Sequence, residues 1–333
     1  MKVCVGIDSV EEKAWENYVT EHPEGNIFQT PQMYRVYTRT NFYEPVVLFA
    51  LEDGIIKGLL IALIQDGRNL LYRIFTTRAI IFGGPVADNA KIWSILLKEY
   101  ESITYNKVIY TQIRNFYEHD ISRRNLITSI GYSFDDHLNI WVNLSVSEAE
   151  YWKSIKKNRK DGINKARKQN FNFEATSKTK CIDEFYSLLS ESYKRIRLPY
   201  PDKSFFISLG EYLKDEIIWF ILKKENKPII ILLALKYKQV IQAYYIGITR
   251  DPIVLNLRPV DLFYYEVMLW GIRNGMKTFD WMGAGKPDRE YGVRKFKLQY
   301  GGDVINMGRY LRIHKPMIYK ISKIGFKVWQ SVM

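Results

Sequence analysis

The feature that most constrains this chain is a repeated pair of sheet-forming runs. "EPVVLFALEDGIIKGLLIAL" (44–63) is two β-rich runs around Glu52-Asp53-Gly54, a hairpin signal. "DEIIWFILKKENKPIIILLAL" (215–235) has the same form. "LFALEDG" falls against "WFILKKE", and "LLIAL" (59–63) against "ILLAL" (231–235). Two matching hairpins alone are compatible with chance, because strand pairs resemble one another. The order of hairpin, helix and strand also recurs, and duplication explains that order.

In the first half Glu11–Val19 reads as helix, "FQTPQMYRVY" breaks at Pro31 and resumes, and "RAIIFGGPV" is a strand ending in glycines. A helix over 88–103, a strand over 107–113, a helix over 118–130 and a strand over 132–142 follow. In the second half come the strand "VIQAYYIGIT" (240–249), a helix from Pro259 to about Asn274, the strand "MKTFDWMG" and a closing strand near 303–312. The expectation is two α/β domains, 1–147 and 148–333, a division that 333 residues allow.

The formal charge of +13, from 49 basic and 36 acidic side chains, predicts a surface that attracts nucleic acid, phosphorylated metabolites or anionic headgroups. Cys4 and Cys181 exclude a disulfide framework and fit a reducing compartment. The four histidines are scattered, so no metal site is expected. "MKVCVGIDSVEEKAW" turns polar too early for a signal peptide, and the longest apolar run, "PIIILLAL" (228–235), is too short to span a bilayer. These features predict a soluble, cytoplasmic protein. "MIYKISKIGFKVWQSVM" is an amphipathic helix with Lys320, Lys323 and Lys327 among apolar positions. Docking on its own domain is the expectation, and lying on a membrane surface the alternative.

"YWKSIKKNRKDGINKARKQN" (151–170) carries eight basic residues and one acid, Asp161. At about 100° per residue, Trp152, Ile155, Ile163 and Ala166 share a narrow arc, and Arg159 falls inside it. An arginine on an apolar stripe snorkels to its edge or pairs with an anion. Its partner is therefore a buried Asp or Glu, or a ligand phosphate; both stand open.

Gly283-Ala284-Gly285-Lys286 has the look of a phosphate-binding loop. A Walker A loop needs GxxxxGK followed by Ser or Thr. Asp280 stands where the first glycine belongs, and Pro287 follows the lysine. The loop fails that test. Asp280 instead ends a strand where a carboxylate can face a cleft. "YGVRKFKLQYGG" then sets Arg294, Lys295 and Lys297 in a cationic cluster suited to an anionic substrate or a developing oxyanion. A plain surface helix is the alternative.

"FDWMGAG…YGVRKFKLQYGG" resembles the C-terminal signature of the Fem peptidyltransferases, which build peptidoglycan interpeptide bridges, and of their FemAB-like relatives. "GNIFQTPQMYRVY", "IKKNRKDGINKARKQNF" and "LRPVDLFYYEVMLWGIRNGMKTFDWMG" agree, so the resemblance spans nearly the whole chain in order. It implies tandem GNAT-like domains, each a mixed, mostly antiparallel sheet flanked by helices. It also implies transfer of an acyl or aminoacyl group to an amine of a cell-wall precursor, typically a stem peptide. The lysine of the family's Phe-Lys signature falls on Lys297 and the basic-helix arginine on Arg159.

Two departures bear on the donor. The long helical arm of some bridge-forming members is missing, and "VLNLRPVDLF" lacks the glycines of a CoA pyrophosphate loop. The donor is left as aminoacyl-tRNA or acyl-CoA, with no bound cofactor expected. A surface-polysaccharide sugar amine is the alternative acceptor. The partners implied are an anionic small-molecule or lipid-linked precursor and tRNA, with peripheral contact at the inner membrane face and the oligomeric state open.

Acyl transfer needs a positioned acceptor, a path for its proton and donors for the oxyanion. Lys297, aided by Arg294, is the candidate for oxyanion or phosphate. Arg159 and Arg258 are candidates for anchoring phosphate. Tyr244 or Tyr245 should line the cleft, and strand alternation admits only one of them. Asp280 is the candidate base or the residue that orients Lys297, with substrate-assisted deprotonation equally open. The competing function is a non-catalytic RNA- or anionic-membrane-binding protein that uses the basic helix.

Overall fold

A computed structural model describes residues 1–67 and 73–332. The chain divides into two compact units: Met1–Asp136 with Met307–Met333, and His137–Asn306. The first contains β1 (Lys2–Val5), β2 (Tyr43–Glu52), β3 (Ile55–Gln65), β4 (Arg78–Phe82), β5 (Val86–Ala87), β6 (Tyr110–Arg114) and β7 (Ser133–Asp135). The second contains β8 (Leu138–Asn143), β9 (Phe171–Thr176), β10 (Ile217–Lys224), β11 (Lys227–Tyr237), β12 (Val240–Ile248), β13 (Thr278–Gly283) and β14 (Asp303–Asn306). The last strand, β15 (Arg309–Ile313), returns to the first sheet.

The sheet orders are β1-β2-β3-β4-β6-β15-β7, with β5 on β3, and β9-β10-β11-β12-β13-β8-β14. Position by position the pairings agree: β4–β6 and β12–β13 are parallel, and every other pair along both paths is antiparallel. The helices agree too. Glu12–Glu21 and Pro31–Thr38 lie between β1 and β2, as Ile182–Ile196 and Lys203–Tyr212 lie between β9 and β10. Ala90–Thr104 precedes β6 as Pro259–Arg273 precedes β13. The duplication read from the hairpins is therefore present throughout both units.

Each matching hairpin closes on two left-handed residues, Asp53 and Gly54 (φ 51° and 79°) in one and Glu225 and Asn226 (φ 51° and 65°) in the other. That geometry suits the right-handed twist of paired strands. One core gathers Leu48, Leu60, Ile81, Trp93 and Ile113 between sheet and helix. The other gathers Phe220, Leu232, Ile241, Phe263, Phe279 and Trp281.

The ladder breaks at corresponding places in the two sheets. β3 pairs with β4 at Leu63–Gln65 and with β5 at Gly58–Leu59, which leaves Ile61, paired with Val47 of β2 on one side, without a strand partner on the other. The Gln29 side chain takes that place. Ile61 N–H donates to its Oε1 at 2.7 Å, and its Nε2 donates to the carbonyls of Phe82 (2.9 Å) and Gly84 (3.1 Å). Gly83 and Gly84 turn the chain there with φ of 78° and 75°. A Cβ on Gly83 would come within 2.3 Å of Asn26 Nδ2. "FQTP" and "FGGPV" are thus two halves of one joint. In the second unit the irregularity is a bulge: Leu233 faces Tyr245 and Ala234 faces Ala243, with Tyr244 the extra residue.

The division of the chain differs from 1–147 and 148–333. The run 132–142 is two strands, β7 and β8, in different sheets, and 303–312 likewise splits into β14 and β15. Hydrogen-bond ladders decide membership. β8 bonds to β13 and β14, and β15 to β6 and β7. Among the described residues no helix is long and apolar enough to cross a membrane.

Candidate active site

β12 and β13 run parallel only from Val240–Gln242 against Thr278–Asp280. At the end of that contact Gln242, Asp280 and Trp141 stand side by side across β12, β13 and β8. Phe279 and Trp281 turn into the core, so alternation puts Asp280 on the opposite face of β13. Asp280 is only 2% exposed. The N–H of Met282, itself left-handed at φ 57°, donates to Asp280 Oδ1 at 2.7 Å. Burial pushes the carboxyl up to about 6, against the pull of that N–H, of the Trp141 indole and of the Lys297 ammonium. Trp141 Nε1 lies near enough to favour the carboxylate yet, among the described residues, meets no acceptor at hydrogen-bonding geometry, and the buried Oε1 of Gln242 has no partner among them either. Buried polar atoms are seldom left so.

Lys297 approaches from the helix Gly292–Leu298, whose Phe296 and Leu298 pack on the core. Its ammonium sits 5.9 Å from the Trp281 ring centre and donates to the carbonyls of Trp281 and Gly283, each at 2.8 Å. An ammonium has three N–H donors, so one is left over. Burial draws its pKa down to about 8, while the Asp280 charge works the other way. A poised carboxyl and a poised amine thus share the end of one strand, a pattern typical of functional sites.

The glycine-lysine run extends β13. Ala284 N–H donates to Leu138 O at 2.6 Å, and Leu138 N–H to Gly285 O at 2.8 Å. Arg294 braces the turn that follows, donating to Lys286 O at 2.7 Å and Arg289 O at 2.5 Å. Its guanidinium is committed to the loop rather than directed at an oxyanion.

The expectation that only one of Tyr244 and Tyr245 shares the cleft face is corrected by the bulge. Ile241 and Ala243 face the core before it and Ile246 and Ile248 after it, so both tyrosines turn the other way. Their ring centres are 4.7 Å apart, and both rings lie against Phe205, at 6.1 and 6.3 Å.

The basic helix is likewise two helices, Glu148–Ser154 and Lys157–Arg167, broken where Ile155 is extended (φ −72°, ψ 135°). A Ser147–Glu150 capping box starts the first. Arg159 shares the buried side of the second with Ile163 and Ala166. Its Nε donates to Gln299 Oε1 at 2.6 Å and its Nη1 to Asp261 Oδ1 at 2.5 Å, with the guanidinium 4.7 Å over the Phe296 ring. Arg258, left-handed at φ 65°, donates from Nε to Asp261 Oδ2, and Tyr300 OH donates to Oδ1 at 3.0 Å. Of the two partners open to Arg159, the structure supplies the buried carboxylate. Two guanidiniums on one carboxylate leave a positive excess, and Arg258 is the more exposed of the pair.

Sequence reasoning reached Asp280, Lys297, Arg159 and Arg258 but missed Asp261, Gln299, Tyr300, Gln242 and Trp141. Asp261 alone carried a signal, as an acid at the start of an otherwise apolar helix, "PVDLFYYEV".

Several solved structures share this fold. The crystal structure of FemX is 14% identical, with a TM-score of 0.71 over 96% of this chain and 99% of that one. L-PGS from Bacillus licheniformis is 15% identical, with a TM-score of 0.59 over 96% and 98%. A tandem GNAT protein from the clavulanic acid biosynthesis pathway is 7% identical, with a TM-score of 0.59 over 94% and 99%. The fold is thus a tandem GNAT-like one, in keeping with the duplicated sheets. No curated protein matches the chain in sequence. A sequence profile of the FemAB-like family, described as one of peptidoglycan biosynthesis/recognition, matches residues 87–295, and the chain belongs to that family.

Proposed function

We propose that this FemAB-like transferase passes an aminoacyl or acyl group to an amine of an anionic cell-wall precursor, with the chemistry at Asp280 and Lys297. The observation that carries this reading is the buried acid–amine pair at the end of β13, flanked by the unpartnered Gln242 Oε1 and Trp141 Nε1. The acceptor nitrogen attacks the donor carbonyl, forming the C–N bond while the carbonyl electron pair moves to oxygen. The third N–H of Lys297 stabilises that oxyanion. Ionised Asp280 takes the nitrogen's proton and returns it to the leaving oxygen of an ester, or sulfur of a thioester, as that bond breaks. Tyr244 and Tyr245 supply a wall for the acceptor. Arg258, supported through Asp261 by Arg159, supplies the contact to substrate phosphate.

Both groups must hold opposite charges at once. Asp280 is ionised above about 6 and Lys297 protonated below about 8, so turnover should be bell-shaped with flanks near those values. The test incubates the full chain with a UDP-linked muropeptide and either aminoacyl-tRNA or acyl-CoA, and weighs the product by mass spectrometry. One arm should show a gain of one aminoacyl or acyl residue, which names the donor. Asp280→Asn and Lys297→Met should each slow it roughly 100-fold or more while keeping native circular dichroism. Full activity in both variants, or no product in either arm, would remove the proposal.

A further inference from the structure

We propose that the C-terminal helix Pro316–Val332 docks the protein on an anionic lipid surface. The helix is held by one face. Tyr319 meets Tyr110 with ring centres 5.3 Å apart, and Ser322 Oγ donates to Phe75 O at 2.7 Å. A second face, Met317, Ile321, Ile324 and Val328, is 78%, 53%, 64% and 54% exposed. At about 100° per residue these four occupy a single narrow arc. Lys320, Lys323 and Lys327 form an exposed row along its flank, and no acidic residue lies between Pro316 and Val332. Ile74 and Phe75, 65% and 40% exposed, extend the apolar surface on the short helix Arg73–Thr76 that packs on this one.

Docking on its own domain was expected of this helix, and it does dock, but it keeps an exposed apolar stripe. Charge decides the occupant. An apolar stripe edged only by lysines matches the boundary between acyl chains and anionic headgroups. A second copy would bring a like-charged lysine row to the contact. One helix stripe also falls well short of the roughly 800 Å² per partner of a stable interface.

The test mixes the full chain with vesicles of phosphatidylcholine, alone or with an equal part of phosphatidylglycerol, and measures co-sedimentation. Binding should appear only with phosphatidylglycerol. Ile321→Glu with Ile324→Glu should abolish it, and replacing Lys320, Lys323 and Lys327 with Gln should weaken it on the order of 100-fold, at about fivefold per lysine. These side chains are exposed, so native circular dichroism should survive both sets. Absence of binding to mixed vesicles, or binding unchanged in the Ile321→Glu/Ile324→Glu variant, overturns the proposal. So does a dimer seen by light scattering and lost in that variant, which would assign the stripe to a second copy.

Discussion

Gly162→Ala tests the buried charge cluster of the second unit, because two effects of known sign compete there. Gly162 lies inside the helix Lys157–Arg167, without a positive φ. By helix propensity alone, alanine should gain about 1 kcal/mol. The new Cβ, however, would stand 2.3 Å from Asp261 Oδ2 and 2.9 Å from both Nε and Nη2 of Arg258. The Arg258 side chain is 40% exposed and can swing aside, but the Asp261 carboxylate cannot. The Asp261 carboxylate is held by Arg159, Arg258 and Tyr300, and is 2% exposed.

Displacing it separates a buried carboxylate from its partners, at a cost of about 3–5 kcal/mol. The balance is a net loss of about 2–4 kcal/mol. Because the chain holds two units, a single melting temperature would blur the effect. Hydrogen exchange of the Lys157–Arg167 amides, read across a urea series, isolates it. An alanine variant as stable as the parent, or more stable, would show that Asp261 and Arg258 are not held where the geometry puts them.

Two further perturbations bear on the site. The folded pKa of Asp280, about 6, lies above its ordinary 3.8, so its contribution to stability is fully present below about 4 and is lost as pH rises through 6. Asp280→Asn should therefore leave the second unit more stable at pH 8, by at most about 3 kcal/mol, and nearly unchanged at pH 4; a less stable variant at pH 8 contradicts this. Arg294→Met should free the turn that Arg294 braces while costing little global stability, roughly 1–2 kcal/mol at most. Limited trypsin digestion should then cut faster after Arg289, and an unchanged rate would mean that the turn is held by other means.

What the sequence revealed was local. The two hairpins were legible because each needs only neighbouring apolar runs and a left-handed turn, here Asp53-Gly54 and Glu225-Asn226. The division between units was not. β7 and β8 are separated by two residues, and which sheet each joins is settled by partners far along the chain: Leu311 for Ser133, Asp280 for Trp141. Arg159 stood out as a buried arginine even though the helix through it is broken, because Ile163 and Ala166 stay on its side. Its carboxylate partner, Asp261, is 102 positions away, and spacing cannot reach it. Alternation misjudged Tyr244 and Tyr245 because a bulge is a property of two paired strands. Nothing in "QAYYIG" alone marks the residue that β11 leaves unpaired.

The two units share a frame but differ at the row where the proposed chemistry is placed. Aligning Leu63 with Leu235 through the hairpins sets Ile80 opposite the place of Gln242, since each is the cross-strand partner of its leucine. The row Gln242–Asp280–Trp141 then corresponds to Ile80–Gln112–Leu311. Where the second unit buries an acid between two unpartnered polar atoms, the first has an amide between two aliphatic side chains. That amide is already occupied, because Gln112 Oε1 accepts from Arg114 Nε at 2.9 Å. The ladder interruption beside it is closed as well, by Gln29 on Ile61, Phe82 and Gly84. At the matching position the second unit has the Tyr244 bulge, which turns two aromatic rings to one face of β12. At this row, then, the first unit has its amides satisfied, as a place that serves stability requires. The second unit holds an acid at about 6 and an amine at about 8 on that same row, a cost in folding that the proposed chemistry at the strand end would account for.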